Sequence, residues 1–512
     1  MSSSSSPLFS PWLNCDDSNL CFPVRSSSVH FLRSPDHFYN TLLQRVQSAR
    51  RRVVLSALYL GTDALEQRLV HRLAVAAKNV ATKRPVKVRI LLDFFRATRG
   101  ATADGKSSTT MLAPLCIYDN VEVRLFHTPK LRGLLKSALP ERTNEIVGLQ
   151  HMKFFVFDDT VLITGANLSD QYFVNRRDRY LLIEDCPLLA DFFVDLFRLV
   201  GDNSFRLLAD GRVEFTAGGT LSPTHPETVD KLFAKFKVKV AKQKAADAAS
   251  AKKVPDGADG TTTFVVPFLQ MGLFNVNQEV ELLSKLFSSC TTTSGQNGDD
   301  DDLRRLDFTL ISAYFNLFDP YADLILHKCR APFKIVFASP QANGFLGAHG
   351  LSGHIPAMYE HYALDFVRRT VQANQAVDKA RLDIPWKGHL GGGMAQAPAS
   401  KMIPPLPLLL RTVLTLLGCP GPRVATVVGS SNFGFRSAHR DLEAQLLLVT
   451  DNDALRERIA EEKNSLFVHS ELLDPSVFLR RDCLIPRLAE IRCPRVPSLF
   501  LISPIHGTTA NS

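Results

Sequence analysis

Long apolar runs are absent from this 512-residue sequence. A membrane-spanning helix needs about 18 or more consecutive apolar residues, and no such stretch occurs. The closest approach, residues 402–417, contains three prolines and Arg411. We therefore expect no transmembrane helix, and any contact with a membrane should be peripheral.

Cysteine pairs at metal-binding spacing are also missing. The nine cysteines are scattered and never form a C-x2-C pattern. This argues against a zinc site and a disulfide framework, and it is typical of a reducing compartment. The Ser-rich residues 1–28 contain one basic residue, Arg25, and two acidic ones. They match a transit peptide poorly, so a weak targeting segment and a disordered tail are both open.

The composition is that of an ordinary globular protein. Hydrophobic residues make up 45% and charged residues 22%, which excludes a mostly disordered chain, a collagen and a coiled coil. The net charge is +9, but residues 231–253 alone hold eight lysines against one acid. We interpret this stretch as a basic linker, with a patch for anionic lipid as the alternative.

The two sides of this basic stretch resemble each other. Three short segments recur in the same order: 52–60 with 308–316, 86–93 with 333–339, and 161–167 with 425–432. Each predicts a buried strand, and amphipathic segments such as 64–78 lie between them. The sequence therefore predicts an α/β fold, in which two α/β sandwich halves with mixed sheets hold a site between them.

Composition places the domain boundaries. We predict a Ser-rich tail at 1–28, a first half at 29–234, a basic linker at 235–262, a second half at 263–475 and a C-terminal tail at 476–512. The Pro- and Gly-containing residues 255–260 favour a linker there, although a solvated helix over the lysines fits as well.

The first half carries an H-x-K-x4-D motif, formed by His151, Lys153 and Asp158. Alternation along a strand places His151 and Lys153 on one face. A neutral imidazole beside an ammonium group suits nucleophilic attack on phosphorus, because lysine neutralises charge on the phosphoryl oxygens. Asn167 adds a neutral donor, and Asp178 is a candidate to orient an imidazole. Asp158 has two open interpretations, a catalytic one and a structural one at the strand turn.

These residues resemble the phospholipase D superfamily, whose signature is H-x-K-x4-D followed by a strand ending in a Gly-Ser-x-Asn-like sequence. Six blocks are similar to the eukaryotic phosphatidylglycerophosphate synthase family within it: 126–135, 140–145, 148–153, 165–170, 339–345 and 440–445. The resemblance spans roughly residues 30 to 475, apart from the basic stretch and residues 384–422.

The resemblance implies transfer of a phosphatidyl group from CDP-diacylglycerol to glycerol 3-phosphate, with release of CMP, in mitochondria and on the way to cardiolipin. It implies that His151 forms a phosphatidyl-histidine. Lys153 and Asn167 would bind the phosphoryl oxygens, while Asp178 and Glu443 would orient imidazoles. Candidates for holding a substrate phosphate, or alternatively a solvated basic loop, are His127, Arg132 and Arg142.

Three further expectations concern partners. No metal or other cofactor is expected, because lysines carry the charge that Mg²⁺ carries elsewhere. No nucleic acid is expected as a partner. Peripheral contact with an anionic membrane is expected.

The second half departs from the family pattern. It keeps Ser430 and Asn432, in a full Gly-Ser-x-Asn sequence, as phosphoryl-binding or orienting candidates. Residues 401–411 contain no histidine, and His389 has no lysine two positions on. Three explanations stay open for 384–422: a frameshifted or mis-spliced gene model, a diverged transferase, and a catalytically dead homologue. The first predicts that this stretch lacks well-packed structure.

Two other functions compete with the transferase. A phosphodiesterase on lipid or nucleic acid would share the motif and use water as the acceptor. A non-catalytic regulatory homologue is supported only by the missing second H-x-K pair. Only the flanking blocks favour the transferase.

Overall fold

A computed structural model describes the chain over most of its length. The described residues are 20–78, 85–100, 105–129, 148–215, 226–249, 263–289, 307–312, 314–329, 333–337, 354–377, 382–383, 385–386, 413–417, 423–467 and 471–472.

The first half is built on a nine-stranded mixed sheet. Its strands are β2 (Val29–Phe31), β3 (Arg52–Ser56), β4 (Lys87–Asp93), β5 (Val121–Phe126), β6 (Phe154–Phe157), β7 (Thr160–Thr164), β8 (Tyr180–Ile183), β9 (Phe205–Leu207) and β10 (Val213–Phe215). Their order is β10-β9-β5-β4-β3-β6-β7-β8-β2. The neighbours β3, β4 and β5 run parallel, and the other pairs are antiparallel.

Helices follow the strands of this half. They are α1 (Pro35–Ser48), α2 (Ala64–Lys78), α3 (Phe94–Thr98), α4 (Ser108–Leu112), α5 (Asp170–Val174), α6 (Pro187–Gly201) and α7 (Pro226–Ala249), with 3-10 turns at Ser26–Ser28 and Ala113–Ile117. Helix α1 shows why the chain turns helical where it does. The Ser34 hydroxyl accepts the His37 N–H, and Pro35 occupies the first turn, where no N–H is needed.

The second half is built on another nine-stranded sheet. Its strands are β1 (Phe22–Pro23), β11 (Thr263–Met271), β12 (Val276–Asn277), β13 (Asp307–Ser312), β14 (Phe333–Phe337), β15 (Leu382–Asp383), β17 (Val413–Leu417), β18 (Val424–Gly429) and β19 (Glu443–Thr450). Their order is β1-β11-β19-β18-β17-β13-β14-β15, with β12 beside β11. A separate pair joins β16 (Pro385–Trp386) to β20 (Glu471–Leu472).

The helices of the second half are α8 (Gln278–Ser289), α9 (Asp319–Asp323), α10 (Ile355–Val377), α11 (Phe435–His439) and α12 (Asp453–Phe467). A 3-10 turn at Gly272–Phe274 and a π turn at Leu324–Lys328 complete it.

The predicted duplication and fold class are confirmed by the strand order. In the first sheet β4-β3-β6-β7-β8-β2 are consecutive neighbours, and in the second β14-β13-β17-β18-β19-β11 are. In both series only the first pair is parallel. Apolar side chains of both sheets join one buried cluster that includes Met152, Phe154, Leu446 and Leu448, so the halves share part of their core.

Residues 20–28 correct the prediction of a tail at 1–28. Strand β1 pairs antiparallel with β11 of the second half, and Phe22 is buried in the shared cluster. Cys21 is disulfide-bonded, which the interpretation of a reducing compartment did not anticipate. Residues 1–19 lie outside the described residues.

The basic stretch also differs from its prediction. Helix α7 runs through to Ala249, so a linker beginning at 235 is wrong, and the solvated-helix alternative is closer. Val229, Leu232, Phe236 and Val240 are buried against the first half. Their spacing of three and four residues forms one helix face, so the lysines occupy the remaining faces.

Strand β17 bears on the unusual segment 384–422. Val413–Leu417 pairs with β13 on one side and β18 on the other. This central strand contradicts, for these five residues, the lack of packed structure that a misread gene model predicts. Residues 387–412 and 418–422 lie outside the described residues. Within the described part of the chain, every helix is too short or too polar to cross a bilayer.

Candidate active site

His151 lies where the two halves meet, three residues before β6. Its backbone N–H donates to the carbonyl of Leu442 at 3.0 Å, and the Leu442 N–H donates to the carbonyl of Leu149 at 2.8 Å. The side chain is only 7% exposed. The second half therefore helps to fix the backbone of a first-half residue.

The His151 imidazole is paired with a carboxylate of the second half. Nδ1 lies 3.0 Å from both carboxylate oxygens of Glu443, which is fully buried. The hydroxyls of Ser430 and Ser437 also donate to this carboxylate, at 2.5 and 2.7 Å. When Nδ1–H donates to Glu443, Nε2 carries the lone pair, which is the form a nucleophile needs.

A second buried carboxyl lies close to Glu443. Glu279 binds the Tyr321 hydroxyl at 3.2 Å and the Gln445 amide. Burial, together with the nearby Glu443 carboxylate, raises the pKa of Glu279 to about 8. At neutral pH Glu279 therefore favours its protonated form, which limits the negative charge buried beside Glu443.

Lys153 directly precedes β6, and Asn167 follows β7, the strand paired with β6. Lys153 is fully buried, and its Nζ donates to the His151 carbonyl at 2.5 Å. Asn167 is 2% exposed, and its Oδ1 has no hydrogen-bond partner among the described residues. A buried amide oxygen without a partner is the kind of acceptor that a donor on a ligand can satisfy.

Asp178 holds the turn that follows β7. Its Oδ1 accepts the N–H groups of Gly165 at 3.1 Å and Arg179 at 2.7 Å. A Cβ at Gly165 would lie 2.9 Å from this carboxylate, so only glycine fits the position. Asp178 is the first-half counterpart of Glu443, placed beside the equivalent Gly-x-Asn turn.

Comparison with known proteins identifies relatives of this chain. The family described as "Cardiolipin synthase, PLD-like domain" matches residues 42–198. The mitochondrial CDP-diacylglycerol--glycerol-3-phosphate 3-phosphatidyltransferase of Homo sapiens is 35% identical over 515 residues, covering 94% of this chain and 84% of the relative. That of Cricetulus griseus is 36% identical over 515 residues, with the same coverage. The chain belongs to the CDP-diacylglycerol--glycerol-3-phosphate 3-phosphatidyltransferase family.

A solved structure shows the same fold. The phosphatidylserine synthase of Haemophilus influenzae Rd KW20 matches with a TM-score of 0.60 at 17% identity, covering 89% of this chain and 90% of that one. At this identity the likeness concerns the fold, and it extends over both halves.

Asp158 lies away from the rest of the candidate site in this family member. It sits in the turn between β6 and β7 with a positive φ of 52°, at the opposite end of β6 from His151. Its carboxylate accepts the backbone N–H groups of Arg50, Arg51 and Arg52 at 2.8 to 3.0 Å. Of its two interpretations, the geometry supports the structural one.

The substrate-phosphate candidates fall in two groups. Arg132 and Arg142 lie outside the described residues. His127 is buried, its ring packs against Phe94 and Phe95, and Nδ1 bonds the Thr128 carbonyl at 2.8 Å. At His127 the alternative of a solvated basic loop is therefore wrong.

The second-half candidates are placed by β18 and the turn after it. Ser430 holds Glu443, which supports an orienting role. Asn432 is half-buried, and its backbone N–H donates to the Ser437 hydroxyl. The contribution of Ser437 was not predicted, because no local pattern links it to a carboxylate six residues on.

Strand register locates where a second H-x-K pair would fall. Lys153 continues the β6–β7 ladder opposite Thr164, the residue before Gly165. In the second half, the β17–β18 ladder places Val413 opposite Val428, the residue before Gly429. Val413 is therefore the counterpart of Lys153.

The other neighbour gives a register shifted by two residues. Leu55 pairs with Phe155, whereas its second-half equivalent Ile311 pairs with Val413. Counted this way, the counterpart of Lys153 is Arg411. The histidine of an H-x-K pair stands two residues before the lysine. That position holds Arg411 in the first register and Leu409 in the second, so neither register supplies a histidine.

One group of acids has the spacing of metal ligands. Carboxylate oxygens of Asp63, Glu66 and Asp170 lie within 4.8 Å of one another. All three lie at the starts of helices α2 and α5, where the helix dipole stabilises negative charge. Glu66 also accepts the backbone N–H of Asp170. These interactions account for the cluster without an ion.

Proposed function

We propose that this protein transfers the phosphatidyl group of CDP-diacylglycerol to glycerol 3-phosphate, through a phosphohistidine at His151. The observation that carries the proposal is the 3.0 Å contact between His151 Nδ1 and the Glu443 carboxylate, across the two halves. It fixes the tautomer whose Nε2 can attack phosphorus. Membership of the family supports the two substrates.

The proposed first step is a substitution at the phosphatidyl phosphorus. Nε2 of His151 forms a bond to the phosphatidyl phosphorus, and the bond from that phosphorus to the CMP oxygen breaks. CMP leaves with the electron pair. Glu443 stabilises the positive charge on the imidazole, and Lys153 and Asn167 bind the phosphoryl oxygens.

In the second step the hydroxyl of glycerol 3-phosphate attacks the same phosphorus. The P–N bond breaks and returns its electron pair to His151, while a base takes the hydroxyl proton. The product is phosphatidylglycerophosphate.

An assay with two substrates tests this function against the phosphodiesterase alternative. We expect radiolabelled glycerol 3-phosphate to enter lipid in the presence of CDP-diacylglycerol, with at least one product formed per active site. We expect no hydrolysis of a bis-aryl phosphodiester. Hydrolysis of the diester without lipid labelling would favour the phosphodiesterase, and inertness toward both substrates would favour a non-catalytic homologue.

The lipid substrate requires contact with a membrane, and helix α7 is the surface we propose for it. Lys231, Lys235 and Lys242 lie on one exposed stripe of the helix with Val238, which is 54% exposed. Lys235 also pairs with Asp195 at 2.7 Å and would exchange this partner for the lipid surface. Lysines near an anionic surface contribute about 1 kcal/mol each. The relatives are named mitochondrial, and we propose the same location here, with peripheral attachment.

Replacement of these three lysines by glutamine is expected to weaken binding to vesicles. With vesicles of one fifth anionic and four fifths zwitterionic lipid, the loss should be about 10²-fold, from about 1 kcal/mol per lysine. Co-sedimentation at low salt measures it. A matched triple variant at the exposed Lys78, Lys87 and Lys106 should change binding little. Equal loss in both variants would contradict a role specific to α7.

A further inference from the structure

Consecutive backbone N–H groups leading to the nucleophile are each held by a different group. The Leu149 N–H donates to Oδ1 of Asp441 at 3.1 Å. The next N–H, of Gln150, donates to Oδ2 of Asp93 at 3.1 Å. The third, of His151, bonds to the second half as described above. One carboxylate of each half therefore hydrogen-bonds to the two residues directly before the nucleophile.

Both aspartates are themselves fixed. Asp93 is fully buried at the end of β4, and its Oδ1 caps helix α3 by accepting the Arg96 N–H at 3.1 Å. Asp441 is 5% exposed, and its Oδ1 also accepts from the Arg436 guanidinium at 3.0 Å. Because each carboxylate is held in place by its own half, it also fixes the position of the backbone segment that it binds.

The start of the segment is equally constrained. Gly148 has a φ of +151°, and a Cβ there would lie 2.5 Å from the backbone oxygen of Arg440. Only glycine allows the two halves to approach this closely. Residues 148–151 thus lie between the halves with contacts at every position.

We propose that Asp93 and Asp441 are positioning residues that fix the backbone of residues 148–151 and, through it, the direction of the His151 imidazole. The catalytic part of this proposal rests on the proposed role of His151, whereas the backbone contacts do not. A covalent step needs the reacting atoms about 3 to 3.5 Å apart and aligned. Small displacements of this segment should therefore slow the attack on phosphorus.

Asp93 also makes the segment sensitive to pH. The charged groups that act on it are Arg96 on α3 and Asp441 of the second half. The net pKa of Asp93 is raised to about 7: burial and, to a smaller extent, Asp441 raise it, while the bonded N–H groups and Arg96 lower it. As the pH falls through 7, Oδ2 or Oδ1 gains a proton and holds its N–H less well.

Lowering the pH should affect folding stability in the opposite direction to positioning of the segment. Because the pKa of Asp93 is raised in the folded state, folding favours the protonated carboxyl. The corresponding contribution is present below about pH 4 and is lost as the pH rises through 7. The charged form therefore lowers stability while it improves positioning.

Hydrogen exchange of the protein alone tests the proposal without any substrate. In Asp93→Asn and Asp441→Asn, the peptide containing residues 149–151 should exchange about tenfold faster, the effect of losing one hydrogen bond. Glu66→Gln is the matched control, because Glu66 is also buried, accepts a backbone N–H and has a pKa raised by burial. It should leave this peptide unchanged.

In the wild type, the same protection should fall between pH 8 and pH 6 after correction for intrinsic exchange, and Asp93→Asn should remove that dependence. If Asp93→Asn does not fold, the pH series of the wild type and Asp441→Asn still test the proposal. Unchanged protection in both aspartate variants, or equal loss in the glutamate control, would overturn it. A protein without transferase activity would leave this readout intact, so the two failures are distinguishable.

A kinetic readout tests the catalytic part. The first-turnover rate of CMP release should fall about 10- to 10²-fold in Asp93→Asn, from the misplaced nucleophile, with KM for CDP-diacylglycerol nearly unchanged. A rise in KM alone, or a rate within twofold of the wild type, would refute a positioning role.

Discussion

His151→Ala is expected to abolish CMP release and covalent labelling by radiolabelled CDP-diacylglycerol. The loss should exceed about 10⁴-fold, because removal of a nucleophile that forms a covalent intermediate leaves only binding and electrostatic effects. Quenching in alkali, which preserves phosphohistidine, followed by gel autoradiography measures the labelling. A circular dichroism melt checks that the variant is folded.

Two neighbouring substitutions separate chemistry from structure. Lys153→Ala should reduce the labelling rate about 10²- to 10³-fold, the scale for one preorganised electrostatic partner. Glu443→Gln keeps the size of the side chain but loses its charge, and we expect about a 10²- to 10⁴-fold loss. Full labelling of His151→Ala would refute the assignment, and unchanged rates in Glu443→Gln would deny its carboxylate a role.

Much of the fold could be predicted because its signals are local. The strand that ends in Gly165-Ala-Asn and the one that ends in Gly429-Ser-Ser-Asn are short β-branched runs with a turn attached, and each forms as expected. The match between the halves then fixes the order of the sheets. His151 and Glu443 are 292 residues apart, so resemblance to a family suggested only that Glu443 orients an imidazole, and no local pattern predicted its contact with His151.

The errors have a common cause, which is that distant packing overrides composition. Residues 20–28 are Ser-rich, yet β1 is stabilised by pairing with β11 of the other half. Lysines dominate α7, but Phe236 and three other apolar residues bury one face. A misread gene segment at 384–422 would lack packed structure, yet β17 pairs with neighbours on both sides in the centre of the sheet.

The absence of a second histidine should slow the second chemical step much more than the first. In the first step CMP leaves as a phosphate, whose second pKa is about 6, so it needs little help from an acid. In the second step an alcohol attacks, and an alcohol is a poor nucleophile at neutral pH without a general base. A second histidine would supply that base with an ordinary pKa near 6.5. Its loss should slow acceptor transfer about 10²- to 10⁴-fold, or roughly 3–5 kcal/mol of barrier.

This protein is therefore expected to release about one equivalent of CMP in a burst and then to turn over very slowly. An acid-labile, alkali-stable phosphatidyl-enzyme should accumulate at His151. Rapid-quench measurement of CMP, with and without glycerol 3-phosphate, distinguishes the burst from steady-state release. Rapid steady-state formation of phosphatidylglycerophosphate would refute the expectation and indicate another base.

His439 is the described histidine to test for that alternative. It is exposed at the end of α11, against Phe318 and Phe435. The partial shielding of its ring and the neighbouring Arg440 lower its pKa, which favours the neutral imidazole. His389 lies outside the described residues. If turnover is rapid, His439→Gln should abolish it when His439 is the base, whereas unchanged turnover would exclude this histidine.

The two strand registers identify the positions at which a missing H-x-K pair could be restored by mutation. The β18 register predicts that Arg411→His with Val413→Lys restores an H-x-K pair, and the β13 register predicts the same for Leu409→His with Arg411→Lys. The correct repair should raise steady-state turnover by up to the 10²- to 10⁴-fold of a general base. It should leave the burst at one equivalent, because His151 still takes the first phosphatidyl group. The other repair, displaced by two residues along the same strand, is the control, and failure of both would mean that acceptor transfer in this protein is not limited by a missing histidine.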